Sequence, residues 1–163
     1  MHKNLRPGKG LGGDAVERDI ECAIRADVNV LISGGDGRRR LSLAHMLHQR
    51  SRDMGDPFVL MESDRLPVVR AAWEFPLGGT MFIEEVADLS ERMQTELMLF
   101  LDRRSAQVHG GRADRLRRTR IVAATTYDMF QQIAEGRFRE DLFYRLNAIH
   151  VVLPEHDTGV ELV

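Results

Sequence analysis

The run Ser33-Gly34-Gly35-Asp36-Gly37-Arg38-Arg39-Arg40-Leu41 stands between an apolar stretch, residues 28–32, and a segment with helical spacing, residues 41–48. Glycines in a strand-to-helix turn let backbone N–H groups curl around phosphate oxygens at a helix N-terminus. A complete phosphate loop also needs a lysine for the terminal phosphates and a Ser or Thr for magnesium. Counted from Gly34, the last glycine position holds Arg39, the lysine position Arg40 and the hydroxyl position Leu41. Arginine supplies charge as a planar fork, not as a compact point. An arginine at 39 would be strained if that turn position requires positive φ. Two readings stay open on these residues alone: a phosphate loop with an altered grip, or a tight turn with solvated arginines.

Glu84-Glu85 follows the apolar run 79–83. In a nucleotide hydrolase the first carboxylate of such a pair holds magnesium and the second orients the attacking water. An acidic pair at a helix N-terminus has the same appearance. Thr125-Thr126 follows the run 120–124 in the same way. Arg139 and Arg145 are spaced i, i+6, so a regular helix does not put them on one face. Either they pair with Glu140 and Asp141 at the surface, or they point at a nucleotide on a neighbouring subunit, where such fingers are worth ~10³–10⁵ in rate.

Residues 103–120 hold Arg103, Arg104, Arg112, Arg115, Arg117, Arg118 and Arg120. Gly110-Gly111 and the scarcity of aromatic residues favour a solvated loop over a nucleic-acid surface. His45 and His48 lack a third ligand at a suitable spacing and read as surface residues. Cys22 reads as buried on an amphipathic helix with Ile20 and Ile24. Trp73 reads as a packing anchor, and Met46, Met93 and Met98 as core filler.

These residues need a frame. Apolar runs at 28–32, 57–61, 79–83, 120–124 and 149–153 alternate with helical patterns at 41–48, after Ser90 and at 138–146. Such alternation predicts a five-stranded, mainly parallel sheet with helices on both faces, an α/β three-layer core. Ligands of such sheets sit at the carboxyl ends of strands. The glycine turn, the acidic pair and Thr126 all fall there.

The chain has 163 residues, enough to bury a core without disulfides or metal. Its 43% hydrophobic content and net charge of −2 disfavour disorder. No apolar run approaches the ~18 residues of a membrane span. The polar, glycine-rich N-terminus lacks the apolar core of a secretory signal, and one cysteine excludes a disulfide framework. These features read as a cytoplasmic protein. Lysine occurs only at Lys3 and Lys9, so no lysine-dependent motif further along can be intact.

A family resemblance rests on three stretches. Gly78-Gly79-Thr80-Met81-Phe82-Ile83-Glu84-Glu85-Val86, with Leu89-Ser90 and Gln94-x-x-Leu97 after it, resembles the Walker B region of the AAA+ domain of sigma-54-dependent transcriptional activators (NtrC-like bacterial enhancer-binding proteins). Arg120-Ile121-Val122-Ala123-Ala124-Thr125-Thr126 is similar to the same family. So is Gly136-Arg137-Phe138-Arg139-Glu140-Asp141-Leu142-Phe143-Tyr144-Arg145-Leu146-Asn147. The resemblance implies a P-loop NTPase core over residues 12–154, between an N-terminal segment, 1–11, and a tail, 155–163. It implies ATP and Mg²⁺ as cofactors. Gly34, Gly35, Asp36, Gly37, Arg38, Arg39, Arg40 and Leu41 would form the Walker A loop, with Glu84 as metal ligand. It gives Glu85 the catalytic position, Thr126 that of sensor I, and Arg139 and Arg145 those of trans-acting fingers. Glu62 stands where an asparagine usually couples nucleotide to the catalytic glutamate. AAA+ subunits, of this chain or of an intact paralogue, and sigma-54 RNA polymerase are the implied partners.

The departures are specific. Arg39 and Arg40 replace the glycine and lysine, and Glu84 replaces an aspartate. Residues 65–77 are too few for the family's GAFTGA contact loop. No helical lid and no DNA-binding helix-turn-helix follow residue 154 in this sequence. These departures imply weak or absent ATP hydrolysis. The alternatives are a nucleotide-independent protein docking on an intact activator ring, or an arginine-rich nucleic-acid binder.

Overall fold

The computed structural model describes residues 11–51, 55–61, 78–105 and 119–155. Helix α1 (Leu11–Ala26) leads into strand β1 (Val30–Gly34), helix α2 (Gly37–Arg50) and strand β2 (Phe58–Met61). Strand β3 (Thr80–Ile83), a single 3₁₀ turn (Val86–Asp88) and helix α3 (Glu91–Ser105) follow. Strand β4 (Arg120–Thr125), helices α4 (Met129–Ala134) and α5 (Glu140–Leu146), and strand β5 (Ile149–Leu153) complete the described chain. The strands form one sheet in the order β2-β3-β4-β1-β5, with all four pairings parallel. No helix among the described residues is long and apolar enough to cross a membrane.

Side chains alternate across the sheet, which divides the core in two. Leu31, Met81, Ile83, Ile121 and Ala123 face Leu97, Phe100, Leu101, Phe138 and Leu142 on one side. Val30, Ile32, Phe82, Val122, Val151 and Leu153 face Val16, Ile20, Leu43 and Leu47 on the other. The three layers follow: α1 and α2, the sheet, then α3 with α4 and α5. Strands covered on both faces need near-continuous apolar sequence, which is what β3 and β4 have.

Several expectations shift. Strand β1 starts at Val30 because the chain leaves α1 through Asp27, which takes a left-handed φ of 47° just after the helix ends at Ala26. It extends to Gly34 because Gly34 still pairs with Leu153. The helix expected over 138–146 begins at Glu140, since Arg139 is its extended N-cap residue. Cys22 is exposed, contrary to the burial expected of it. The buried stripe of α1 is Val16, Ile20 and Ala23, and a residue two after Ile20 points away from it. His45 is exposed as expected, and its ring stacks on Phe58 at 4.0 Å. His48 is only half-exposed, with Nδ1 3.0 Å from the Thr80 hydroxyl. Met46 is buried, whereas Met93 and Met98 are partly buried against the core. Trp73 and residues 112–118 lie outside the described residues.

Arg120 corrects the reading of the arginine-rich run as a solvated loop. It is 1% exposed. Its Nε donates to Val28 O at 2.9 Å, and Nη2 donates to Ala23 O. Arg104 is also drawn inward, donating from Nη1 to Asn29 Oδ1 and Thr119 O, each at 2.8 Å. Burial works against its charge, Asp27 supports it, and Arg145 adds a smaller opposing effect. Arg103 remains exposed.

Candidate functional site

The carboxyl end of β1 determines the shape of the loop. Gly34 and Gly35 have φ of 70° and 57°, values that an L side chain adopts only with strain. At Gly34 there is also no room, since a Cβ would run into the carbonyl oxygen of Leu153. The chain then turns directly into α2. Asp36 is its N-cap, and Asp36 Oδ1 accepts from Arg39 N at 2.8 Å. The condition under which Arg39 would be strained, a positive φ at its turn position, is not met. With the cap at Asp36, residue 39 lies in the first turn of the helix and carries ordinary helical backbone. Aspartate at the cap is favoured twice, by the hydrogen bond and by the helix dipole.

Two arginines fold back over this loop. Arg40 is 7% exposed, and its Nη1 donates to Gly35 O at 2.6 Å and to Gly34 O at 3.1 Å. Arg39 Nη1 donates to Pro154 O at 2.7 Å, joining the loop to the exit of β5. Solvation of arginines 39 and 40, the bland expectation for this turn, is thus replaced by carbonyl partners. Arg38 is exposed and Leu41 half-buried.

The acids arrive from β3. A Cβ placed on Gly37 would lie 3.6 Å from Glu84 Oε1 and 3.7 Å from Arg40 Nη2, so the first acid and the guanidinium flank the same glycine. Glu85 turns toward β4. Its Oε2 accepts from Thr126 N at 2.7 Å and Thr126 Oγ1 at 2.8 Å, while Oε1 accepts from Ala87 N at 3.3 Å. Thr126 therefore positions the second acid through two bonds on one oxygen. The loop, Glu84, Glu85 and Thr126 share one rim, as the strand ends require. Glu62 lies outside the described residues.

Arg139 and Arg145 do not join that cluster through any of their described contacts. Arg139 grips Asp141 with two bonds, Nε to Oδ1 at 3.0 Å and Nη2 to Oδ2 at 2.8 Å. The hydrogen bond from Arg139 holds the Asp141 carboxyl below the usual carboxylate range. Arg145 pairs with Asp102 of α3 at 2.6 Å, not with Glu140. Exposed pairs of this kind orient side chains more than they stabilise the fold.

Two residues have positioning roles that the sequence pattern does not signal, although Gln94 belongs to a stretch that carries the family resemblance. Gln94 is buried; its Nε2 donates to Leu89 O and Arg137 O, and its Oε1 accepts from Arg139 N, all at 2.9 Å. It thereby fastens the 137–139 segment to α3. Asn29 donates to Arg145 O at 2.9 Å and accepts from Arg104 and Ile121 N. Nothing local in the sequence signals such long-range partners. Asp36 did carry a signal, an N-cap residue ahead of a helical pattern.

Residues 68–152 match the family described as Sigma-54 interaction domain. The DNA-binding transcriptional regulator NtrC of Escherichia coli (strain K12) is 32% identical over 160 residues, covering 85% of this chain and 34% of NtrC. The response regulator protein PilR of Pseudomonas aeruginosa is 30% identical over 161 residues, covering 86% of this chain and 36% of PilR. The chain thus spans about a third of the length of these relatives. Among solved structures, NtrX from Brucella abortus in complex with ATP superposes with a TM-score of 0.69 at 24% identity, covering 94% of this chain and 39% of NtrX. The P-loop NTPase domain of the Sigma-54 transport activator from E. coli gives 0.58 at 21% identity, covering 78% of this chain and 98% of that domain. At these identities the two structures establish the three-layer P-loop NTPase fold.

Proposed function

The chain belongs to the sigma-54 interaction domain family, and from that premise we propose that it is a transcription-regulatory AAA+ module whose ATP turnover is slow or absent. The observation that carries this reading is the Asp36 cap. A phosphate at this loop needs inward N–H groups and a mobile cation. Here a carboxylate already takes the Arg39 N–H at 2.8 Å and sets negative charge where a polyphosphate would arrive. Leu41 offers no hydroxyl to a magnesium ion, and Glu84 is a methylene longer than the usual aspartate. The donor set does not fit a tightly held Mg-ATP, and no hydrolytic step is assigned to it.

What fits is the remainder of the rim. Glu85 is fixed there by Thr126; Arg139, whose described bonds do not reach that rim, is fixed separately by Asp141 and Gln94. NtrX from Brucella abortus, which shares the fold, has been crystallised in complex with ATP. The inference here is that this chain keeps the corresponding scaffold with a weakened grip. The short 65–77 segment leaves direct contact with sigma-54 outside the proposal. A second reading, docking on an intact activator ring, is favoured by the exposed ion-paired arginines 139 and 145.

Steady-state phosphate release from magnesium ATP tests the main reading. Turnover is expected to stay well below about 1 s⁻¹. A rate in the ordinary enzymatic range of about 1–10³ s⁻¹, abolished by Glu85→Gln, would contradict it.

A further inference from the structure

We propose that Arg40 is the internal ligand of the 34–37 loop, a latch that closes the loop against polyphosphates and makes it a structural bracket. This rests on the slow-turnover reading and supplies a physical cause for it. The Arg40 side chain is more than nine-tenths buried. Its Nη1 is shared by the carbonyls of Gly34 and Gly35, and its Nη2 lies beside Gly37. The guanidinium therefore spans the loop from its first glycine to its last. Arg40 Nε and Arg39 Nη2 are buried without a hydrogen-bond partner, so both groups carry donor capacity that the closed loop leaves unused.

Three features make the closure self-consistent. Gly34 and Gly35, at positive φ, present their carbonyls to the guanidinium. Asp36 satisfies the first-turn N–H of Arg39 that an anion would otherwise claim. Arg39 ties the same turn to Pro154 O beyond β5. A lysine at position 40 could make a point contact with those carbonyls and still turn toward an anion. An arginine fork held at one end and packed against Gly37 at the other gives up its hydrogen bonds to do so. Charge-assisted bonds of this kind are roughly twice as strong as neutral ones. A polyphosphate must displace the guanidinium and also face the Asp36 carboxylate.

The test uses the full chain. In nitrogen-15 spectra, the Nη protons of Arg40 are expected to exchange with water at least about tenfold more slowly than those of exposed Arg38, whose environment is the internal reference. Inorganic pyrophosphate is then titrated calorimetrically into the wild type and into an Asp36→Ser, Arg40→Lys double variant. The wild type is expected to show no saturable binding, and the double variant at least about tenfold tighter binding. Equal exchange at Arg38 and Arg40, or an unchanged affinity in a folded double variant, overturns the latch. Should the double variant fail to fold, the exchange rates on the wild type decide. Fast Arg40 exchange without pyrophosphate binding overturns the latch alone and leaves slow ATP turnover standing.

Discussion

A Gly34→Ala variant is expected to lose roughly 3 kcal/mol or more of folding stability. The methyl meets the Leu153 carbonyl oxygen, which is backbone and cannot swing aside. Relief requires β1 and β5 to part at the Gly34–Leu153 pair, at the rim where Arg39 also holds Pro154. The residue's φ of 70° adds strain of its own. Gly37→Ala is the matched control. Its Cβ would make only ordinary contacts, at 3.6 Å and 3.7 Å, and Gly37 is the first residue of α2, where alanine is preferred to glycine. That variant is expected to be unchanged or stabilised by up to about 0.5 kcal/mol. Urea denaturation of both variants decides. Equal stabilities would mean that the close approach of β1 and β5 is wrong.

Arg120→Met is expected to cost about 3 kcal/mol. Exchanging a buried ion pair for apolar residues is often neutral, but only because both partners leave together. Here two of the partners are the Ala23 and Val28 carbonyls, which stay. Methionine fills much of the volume and donates nothing to them. Ala23 O lies in the last turn of α1, where carbonyls lack intrahelical donors. Arg120 thus closes that helix end from inside the sheet. Arg103→Ala, at an exposed site in the same arginine-rich stretch, is expected to stay within about ±0.5 kcal/mol. Thermal unfolding should separate the two by about 2–4 °C per kcal/mol. A shift at Arg120 no larger than at Arg103 would return the residue to the solvated class.

The contrast between those two arginines shows what the sequence could and could not carry. Strand patterns such as Met81-Phe82-Ile83 and Ile121-Val122-Ala123-Ala124 were legible because both sheet faces are covered, so apolarity is continuous. Their connection by helices then placed Gly34, Glu84 and Thr126 at one rim by topology alone. Arg120 was not legible, because its donors find carbonyls 92 and 97 residues away. A one-dimensional charge pattern contains no such distances. The apolar neighbours of Cys22 suggest burial, but its helical phase turns it to the exposed side of α1. Whether Arg39 sits in a strained turn depends on the loop's length, and Asp36 settles it by capping α2 early and shortening the loop. The Glu85–Thr126 contact could be expected as proximity, but its two-bond geometry required coordinates.

Equilibrium titration of the wild-type chain with magnesium ATP most directly tests the claim that its own side chains fill the phosphate grip of an otherwise preserved rim. No approach to saturation is expected below the millimolar range, which is binding weaker than about −4 kcal/mol. Saturable micromolar binding with Arg40 and Asp36 unaltered would contradict it.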